Sequence, residues 1–138
     1  MAWWSNGAGA VSGLVLVWDE GYTEEENLAP TRADIVERVS LLNGVDRTLV
    51  TLYRGEAHVA CGGAAETGLV VYATFDNAEF WQLAEPGASE AEVSVFANGQ
   101  AGKYRARHVV DVGCAVSAVT SFYESGTLSS DQIWEISN

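Results

Sequence analysis

The sequence predicts an α+β fold, an antiparallel meander sheet with two main helices packed on one face. Short runs rich in β-branched and aromatic residues are separated by glycine-containing turns, which is typical of antiparallel strands. Two other segments repeat apolar residues at helical spacing and carry capping residues at their ends. Helices that cover one face of an antiparallel sheet define the α+β class.

The helices are indicated by their caps as well as by their periodicity. Thr31 is the expected N-cap of the first helix, and Asp34, three residues later, completes a partial capping box. Asn43 and Gly44 end its apolar pattern, which consists of Ile35, Val36, Val39 and Leu42. The second helix is predicted over residues 112–123, with Gly126 as its C-cap.

The strands follow one another with short connections. They are predicted at residues 11–18, 48–53, 57–61, 69–75, 80–83, 92–97, 103–110 and 133–136. The pair Asn98 and Gly99 is a strong hairpin signal. Residues 62–68 (GGAAETG) join two strands and lack a following lysine and helix, so a hairpin loop with positive φ angles is expected rather than a phosphate cradle. Residues 19–30 are expected to form an acidic loop.

Length and charge limit the function classes. The 138 residues predict a single domain spanning 1–138, with residues 1–10 loosely ordered. Nineteen acidic residues against seven basic ones give a net charge of -12. This balance disfavours binding to nucleic acid or to an anionic membrane, and it favours a cationic partner. The start of the chain lacks a basic signal-peptide region, and two cysteines are no disulfide framework, so a cytoplasmic location is expected.

The residues that could carry chemistry do not form a recognisable active site. His58 and Cys61 lie three apart on a predicted strand, which points them to opposite faces. A pairing of His108 with Cys61 across the fold stays open. The run Glu24 to Glu26 lacks the alternating spacing and central glycine of a calcium loop. We therefore predict no catalytic residue, no metal site and no cofactor.

Charge and aromatic residues together indicate a protein interface. Between Arg54 and Lys103 the chain has no basic residue, and the segment DNAEFWQLAE sets aromatic rings among carboxylates. Aromatic anchors surrounded by steering charges are typical of interfaces. Of Phe80 and Trp81, one should point outward because neighbouring strand residues face opposite ways. Trp134 is expected in the core, and the role of Trp3 and Trp4 stays open. The candidate partner-binding residues are Glu24, Glu25, Glu26, Asp76, Glu79, Trp81 and Glu85.

Residues 48–137 resemble a known family. The resemblance rests on the order of the segments TLVTLYRGEAHV, ACGG, LVVY, a hairpin with NGQ, the helix VGCAVSAVTSFYESG and the ending IWEIS. This order is similar to that of an immunity protein of bacterial polymorphic toxin systems, the first-numbered Imm family, which is associated with deaminase toxins. The resemblance implies a non-enzymatic inhibitor whose partner is a cognate toxin domain, a nucleic-acid (cytosine) deaminase. The acidic surface would then cover the toxin's basic substrate cleft.

Two other function classes remain open at this point. A small-molecule-binding or regulatory α+β module would contain a deep apolar pocket with a few convergent polar groups. An enzyme without a sequence signature would use His108 or Cys61. The oligomeric state and the binding face are also open.

Overall fold

The computed structural model describes residues 13–137, and most of its strands lie in one antiparallel sheet. The sheet strands are β1 (Leu14–Glu20), β2 (Thr23–Asn27), β3 (Leu49–Arg54), β4 (Ala57–Ala64), β5 (Gly68–Thr74), β6 (Phe80–Ala84) and β9 (Ile133–Ser137). Their spatial order is β2-β1-β3-β4-β5-β6-β9. The strands β7 (Glu92–Ala97) and β8 (Gln100–Arg105) form a separate hairpin. The α+β prediction is confirmed.

Two helices pack on one face of the sheet, as predicted. Helix α1 (Arg32–Ser40) begins at a complete capping box between Thr31 and Asp34. Helix α2 (Val112–Ser125) is capped by Asp111 at its start and by Gly126, with φ of 74°, at its end. Neither helix in this part of the chain is long and apolar enough to cross a membrane.

The main core lies between the helices and the sheet. Leu52, Val59, Cys61 and Val71 alternate with outward residues along their strands, and each meets the buried face of the helices. Phe122 of α2 is fully buried there. Trp134 is partly buried against the same core, as expected.

The β7–β8 hairpin lies on the opposite face of the sheet, where glycines make room for it. A Cβ atom on Gly62 would lie 2.6 Å from the Cβ of Ala97. A Cβ on Gly63 would lie 2.9 Å from Val95, and one on Gly68 would lie 2.4 Å from Val109, which follows the hairpin in the chain. Gly62 and Gly63 therefore let the hairpin pack directly on the backbone of β4, and Gly68 makes room on β5 for Val109.

A polar network holds the tip of the hairpin. Asn98 and Gly99 have φ angles of 53° and 76°, as the Asn-Gly signal predicts. The Gly99 amide donates to Thr48 Oγ1 at 3.0 Å, and the Thr48 hydroxyl donates to Asp19. The Asp19 carboxylate also accepts from the amides of Thr48 and Leu49 at 2.7 and 2.9 Å. One carboxylate thus joins β1, β3 and the hairpin.

Three local predictions differ from the structure. Residues 19–30 were expected as a loop, but the run Glu24–Glu26 lies in strand β2, which pairs with β1. The meander ends at β6, because β7 and β8 leave the sheet and β9 pairs with β6. The strand expected at 103–110 stops at Arg105, and Ala106–His108 form a 3-10 turn. Residues 1–10, with Trp3 and Trp4, lie outside the described residues.

The close packing of the β7–β8 hairpin on Gly62 yields a stability prediction. Gly62→Ala adds a methyl group where the Ala97 methyl already lies, so it should lower the free energy of unfolding by about 1–3 kcal/mol. Urea denaturation measures the difference. Gly113→Ala is the control, because that position lies in α2 and a Cβ there meets only Asp111 Oδ1, at 3.5 Å. Equal stability of Gly62→Ala and the wild type would contradict the close packing.

Candidate functional site

The face of the sheet opposite α1 and α2, here called the open face, carries a row of aromatic side chains. The register pairs Tyr53 with His58, His58 with Thr74 and Thr74 with Phe80. Directly paired residues point to the same face, so these side chains cross four strands in line. The ring centroids of Tyr53 and His58 are 5.2 Å apart, and those of His58 and Phe80 are 6.5 Å apart. We call Tyr53, His58 and Phe80 the aromatic row.

A second, more polar line runs beside the aromatic row. In register order it consists of Glu26, Val17, Thr51, Ala60, Tyr72, Gln82 and Glu135. Tyr72 and Tyr104 of the hairpin both pack against the apolar cluster of Val70, Val95 and Ala97, and burial, with a smaller contribution from Tyr104, raises the pKa of Tyr72 to about 12. Tyr72 is therefore a neutral group that connects the sheet to the hairpin.

Two grooves meet at the aromatic row. One, of about 410 Å³, lies between the sheet and the hairpin and is lined by His58, Tyr72, Phe80 and Tyr104 among others. The other, of about 540 Å³, lies over β1–β3 and is lined by apolar side chains and by Glu24 and Glu26. Both grooves are open to solvent. They have the form of surface contact sites rather than of the deep pocket that a small-molecule module requires.

The arginines do not supply positive charge to this surface, because each is engaged within the molecule. Arg54 donates to the carbonyl oxygens of Phe122 and Tyr123 at the end of α2, at 3.4 and 3.1 Å. The other five form ion pairs: Arg32 with Glu124, Arg38 and Arg47 with Glu20, Arg105 with Glu90, and Arg107 with Glu90 and Glu135. Within residues 13–137, Glu24, Glu26, Glu56 and Glu79 have no such ion pair.

The predicted partner-binding residues fall into separate places. Glu24 and Glu26 lie on the open face of the edge strand β2, whereas Glu25 pairs with Trp18 on the helix side. Strand β6 lies five strand spacings from β2, about 24 Å away. The structure therefore does not join the two predicted groups directly. The aromatic row links them, because Glu24 acts on the pKa of Tyr53 and Phe80 directly follows Glu79.

The four residues near β6 have different surroundings. Asp76 Oδ1 accepts from the amides of Ala78 and Glu79, both at 2.9 Å, and these amides lower the pKa of Asp76. Asp76 thus closes the β5–β6 loop, and Glu79 is exposed in the same loop. Trp81 pairs with Ala73 on the helix side and is half-buried.

Glu85 lies beyond the opposite end of β6 from this loop. It is exposed, and it contributes to raising the pKa of Cys114 in α2, an effect due first to burial. It is therefore the Phe80 ring, and not Trp81 or Glu85, that reaches the open face. One of Phe80 and Trp81 does point outward, as the alternation predicts.

The aromatic row itself was missed in the sequence. Tyr53, His58 and Phe80 lie on three different strands and are adjacent only because of the register. Alternation alone assigns each of them to the face opposite the core residues Leu52, Val59 and Leu83. That signal gives the face of each side chain but not its neighbour on the next strand.

The candidate nucleophile Cys61 and the candidate bases His58 and His108 lie in separate surroundings. Cys61 is fully buried on the helix side, and burial raises its pKa to about 12, so no thiolate forms near neutral pH. His58 lies on the other face, as predicted. His108 Nε2 donates to Glu135 at 2.8 Å, and this bond is the first cause of the lowered pKa of Glu135. No group of three His, Cys, Asp or Glu side chains within residues 13–137 could hold a metal ion.

The half-buried imidazole of His58 in the aromatic row makes stability depend on pH. Burial lowers the pKa of His58 below its ordinary value of 6.5, so the unfolded chain binds the proton more tightly. The free energy of unfolding should therefore fall as the pH drops from 7 to 5. His58→Gln, which cannot titrate, should show a shallower fall in urea denaturation over that range. If His58 made no contribution, the free energies of unfolding of the two proteins would fall in parallel as the pH drops.

Comparison with known proteins identifies the family of the chain. The family model described as Immunity protein Imm1 matches residues 23–135, which is most of the chain. No curated protein and no solved structure matches it. The matched region contains both helices. It also contains every residue that lines the two grooves, except Gly13 and the residues of strand β1. The chain belongs to the Imm1 immunity protein family, whose members act against a cognate toxin.

Proposed function

We propose that this immunity protein inhibits a nucleic-acid deaminase toxin, a cytosine deaminase, by covering the toxin's basic substrate cleft with the acidic open face. The engagement of all six arginines within the molecule is the observation that supports the proposal best. Five of these arginines pair with carboxylates and Arg54 is bonded to carbonyl oxygens, so the excess negative charge of the chain lies on carboxylates without an arginine partner.

The chemistry of such a toxin explains why binding alone would suffice. An enzyme that acts on nucleic acid needs cationic side chains along the phosphate backbone. A deaminase also needs the target base to enter a narrow pocket. An acidic protein lying over that cleft replaces the phosphates and closes the pocket. The inhibitor needs no catalytic residue of its own for this purpose.

We propose a narrower set of contact residues, chosen by their exposure and by their position on the sheet. Glu24, Glu26 and Glu79 are exposed beside the aromatic row, and we place the centre of the contact there. Asp76 adds charge while it holds the β5–β6 loop. We assign Glu25, Trp81 and Glu85 to the periphery, because they lie off the open face.

Charge reversal tests the position of the contact. The double variant Glu26→Lys/Glu79→Lys should associate with the toxin domain about tenfold more slowly at low salt, since steering depends on charges near the contact. The salt dependence of the rate should also flatten. Stopped-flow measurements at several salt concentrations provide both values.

A second double variant controls for net charge. Glu37→Lys/Glu66→Lys changes the charge by the same amount, but Glu37 is on α1 and Glu66 is in the loop between β4 and β5, at the opposite end of β4 from His58. It should slow association much less. Equal slowing by both pairs would mean that overall charge, and not this face, steers the partner.

Competition with substrate tests the proposed chemistry. The cognate toxin domain should deaminate cytosine in an oligonucleotide, and an equimolar amount of the immunity protein should abolish the reaction. The apparent Kd of the protein complex should rise in proportion to added oligonucleotide. A complex that forms equally well at saturating oligonucleotide would show that the cleft is not covered. A toxin that leaves cytosine unchanged would contradict the deaminase assignment.

A further inference from the structure

We propose that the groove between the sheet and the β7–β8 hairpin receives an arginine side chain of the toxin. This inference rests on the proposed function and specifies its short-range contact. The groove encloses about 410 Å³, which is ample for one side chain, and it opens to solvent beside the aromatic row.

The walls of the groove are aromatic faces carried by rigid elements. His58 and Phe80 lie on sheet strands, and their rings are held at 6.5 Å with an edge-on angle of 64°. Tyr104 stands on the hairpin, and its ring lies over Gly102, where a Cβ atom would be 3.0 Å from the ring. Tyr72 of the sheet and Tyr104 of the hairpin both pack against the cluster of Val70, Val95 and Ala97, which holds the two walls together. The rings are therefore positioned before any partner arrives.

The groove lacks a positive charge of its own. Lys103 does not line it, because it lies between Gly102 and Tyr104, which do, and strand alternation directs it to the other side of the hairpin. Arg105 is paired with Glu90. Burial lowers the pKa of His58, so the imidazole is neutral at pH 7. The free carboxylates Glu24 and Glu26 lie over the adjoining groove.

This combination suits a guanidinium group better than an ammonium or an apolar side chain. A guanidinium is planar and weakly hydrated, so it stacks on aromatic rings at low desolvation cost. The Tyr hydroxyls and the side chains of Asn98 and Gln100 provide oxygen acceptors in the groove wall. The surrounding negative surface favours a cation over an uncharged residue. A basic substrate cleft is also the part of the toxin that presents arginines.

Substitutions that separate ring faces from apolar volume test the occupant. Phe80→Leu keeps an apolar side chain but removes the π face, so it should weaken the complex with the toxin domain about tenfold in Kd. Tyr104→Leu, on the other wall, should act in the same direction. Phe96→Leu is the matched control, because Phe96 is an exposed phenylalanine of the hairpin, at 38%, that does not line the groove. It should change Kd less than about twofold. Thermal unfolding of each variant confirms that it is folded.

A variant that fills the groove and a double-mutant cycle with the toxin complete the experiment. Ala60→Leu places a larger side chain on the groove floor and should also weaken binding. Replacing the responsible toxin arginine by Gln should remove the effect of Phe80→Leu, as a double-mutant cycle would measure.

Each failure has a distinct meaning. If Ala60→Leu weakens binding but Phe80→Leu does not, the occupant is apolar and the arginine proposal is wrong. If all groove variants bind like the wild type, the groove lies outside the interface while the proposed function stands. If the wild type does not bind the toxin, the proposed function itself fails.

Discussion

The close approach of the hairpin to strand β4 is the contact on which the rest of the open face depends. Gly62 permits it, because any side chain there would collide with Ala97. The hairpin then covers one part of the face with a small apolar cluster around Val70 and Val95. The uncovered part keeps the aromatic row and becomes a groove with two walls. If the hairpin could not pack at Gly62, the face of the sheet would stay uncovered and no groove would form between sheet and hairpin.

The charges of the molecule are also divided: the arginines form intramolecular contacts, and carboxylates remain free at the surface. The arginines are used inside the molecule, where they hold strand ends, the 3-10 turn and the end of α2. Partly exposed ion pairs of this kind add little stability, so their main consequence is the charge that remains outside. The glutamates of the edge strand β2 have a role in the free molecule as well, because charged residues on an edge strand prevent it from pairing with other chains. The same carboxylates are then available to a cationic partner.

The sequence predicted the local elements well and the long-range pairing poorly. The caps at Thr31 and Gly126 located the helix ends, and Asn98-Gly99 located the hairpin, because each signal is contained within a few residues. Strand β2 was missed because three successive glutamates lack strand propensity, and only pairing with β1 makes them a strand. The pairing of β6 with β9 joins segments about fifty residues apart, and no local pattern encodes it. The candidate site was found in part, since exposed acids are visible in a sequence whereas a row built by register is not.

Long-range charge and short-range shape have different tasks in such a recognition surface. An acidic surface attracts any basic cleft, so steering raises the rate of encounter without choosing among toxins. Discrimination requires groups that are satisfied by one partner and left unpaired or blocked by another. The groove beside the aromatic row can do this, because its walls are fixed by the sheet register and by the packing of Tyr72 and Tyr104 against the cluster of Val70, Val95 and Ala97. Substitutions at Ala60 or Phe80 would therefore change the choice of partner while the fold and the acidic edge stay the same.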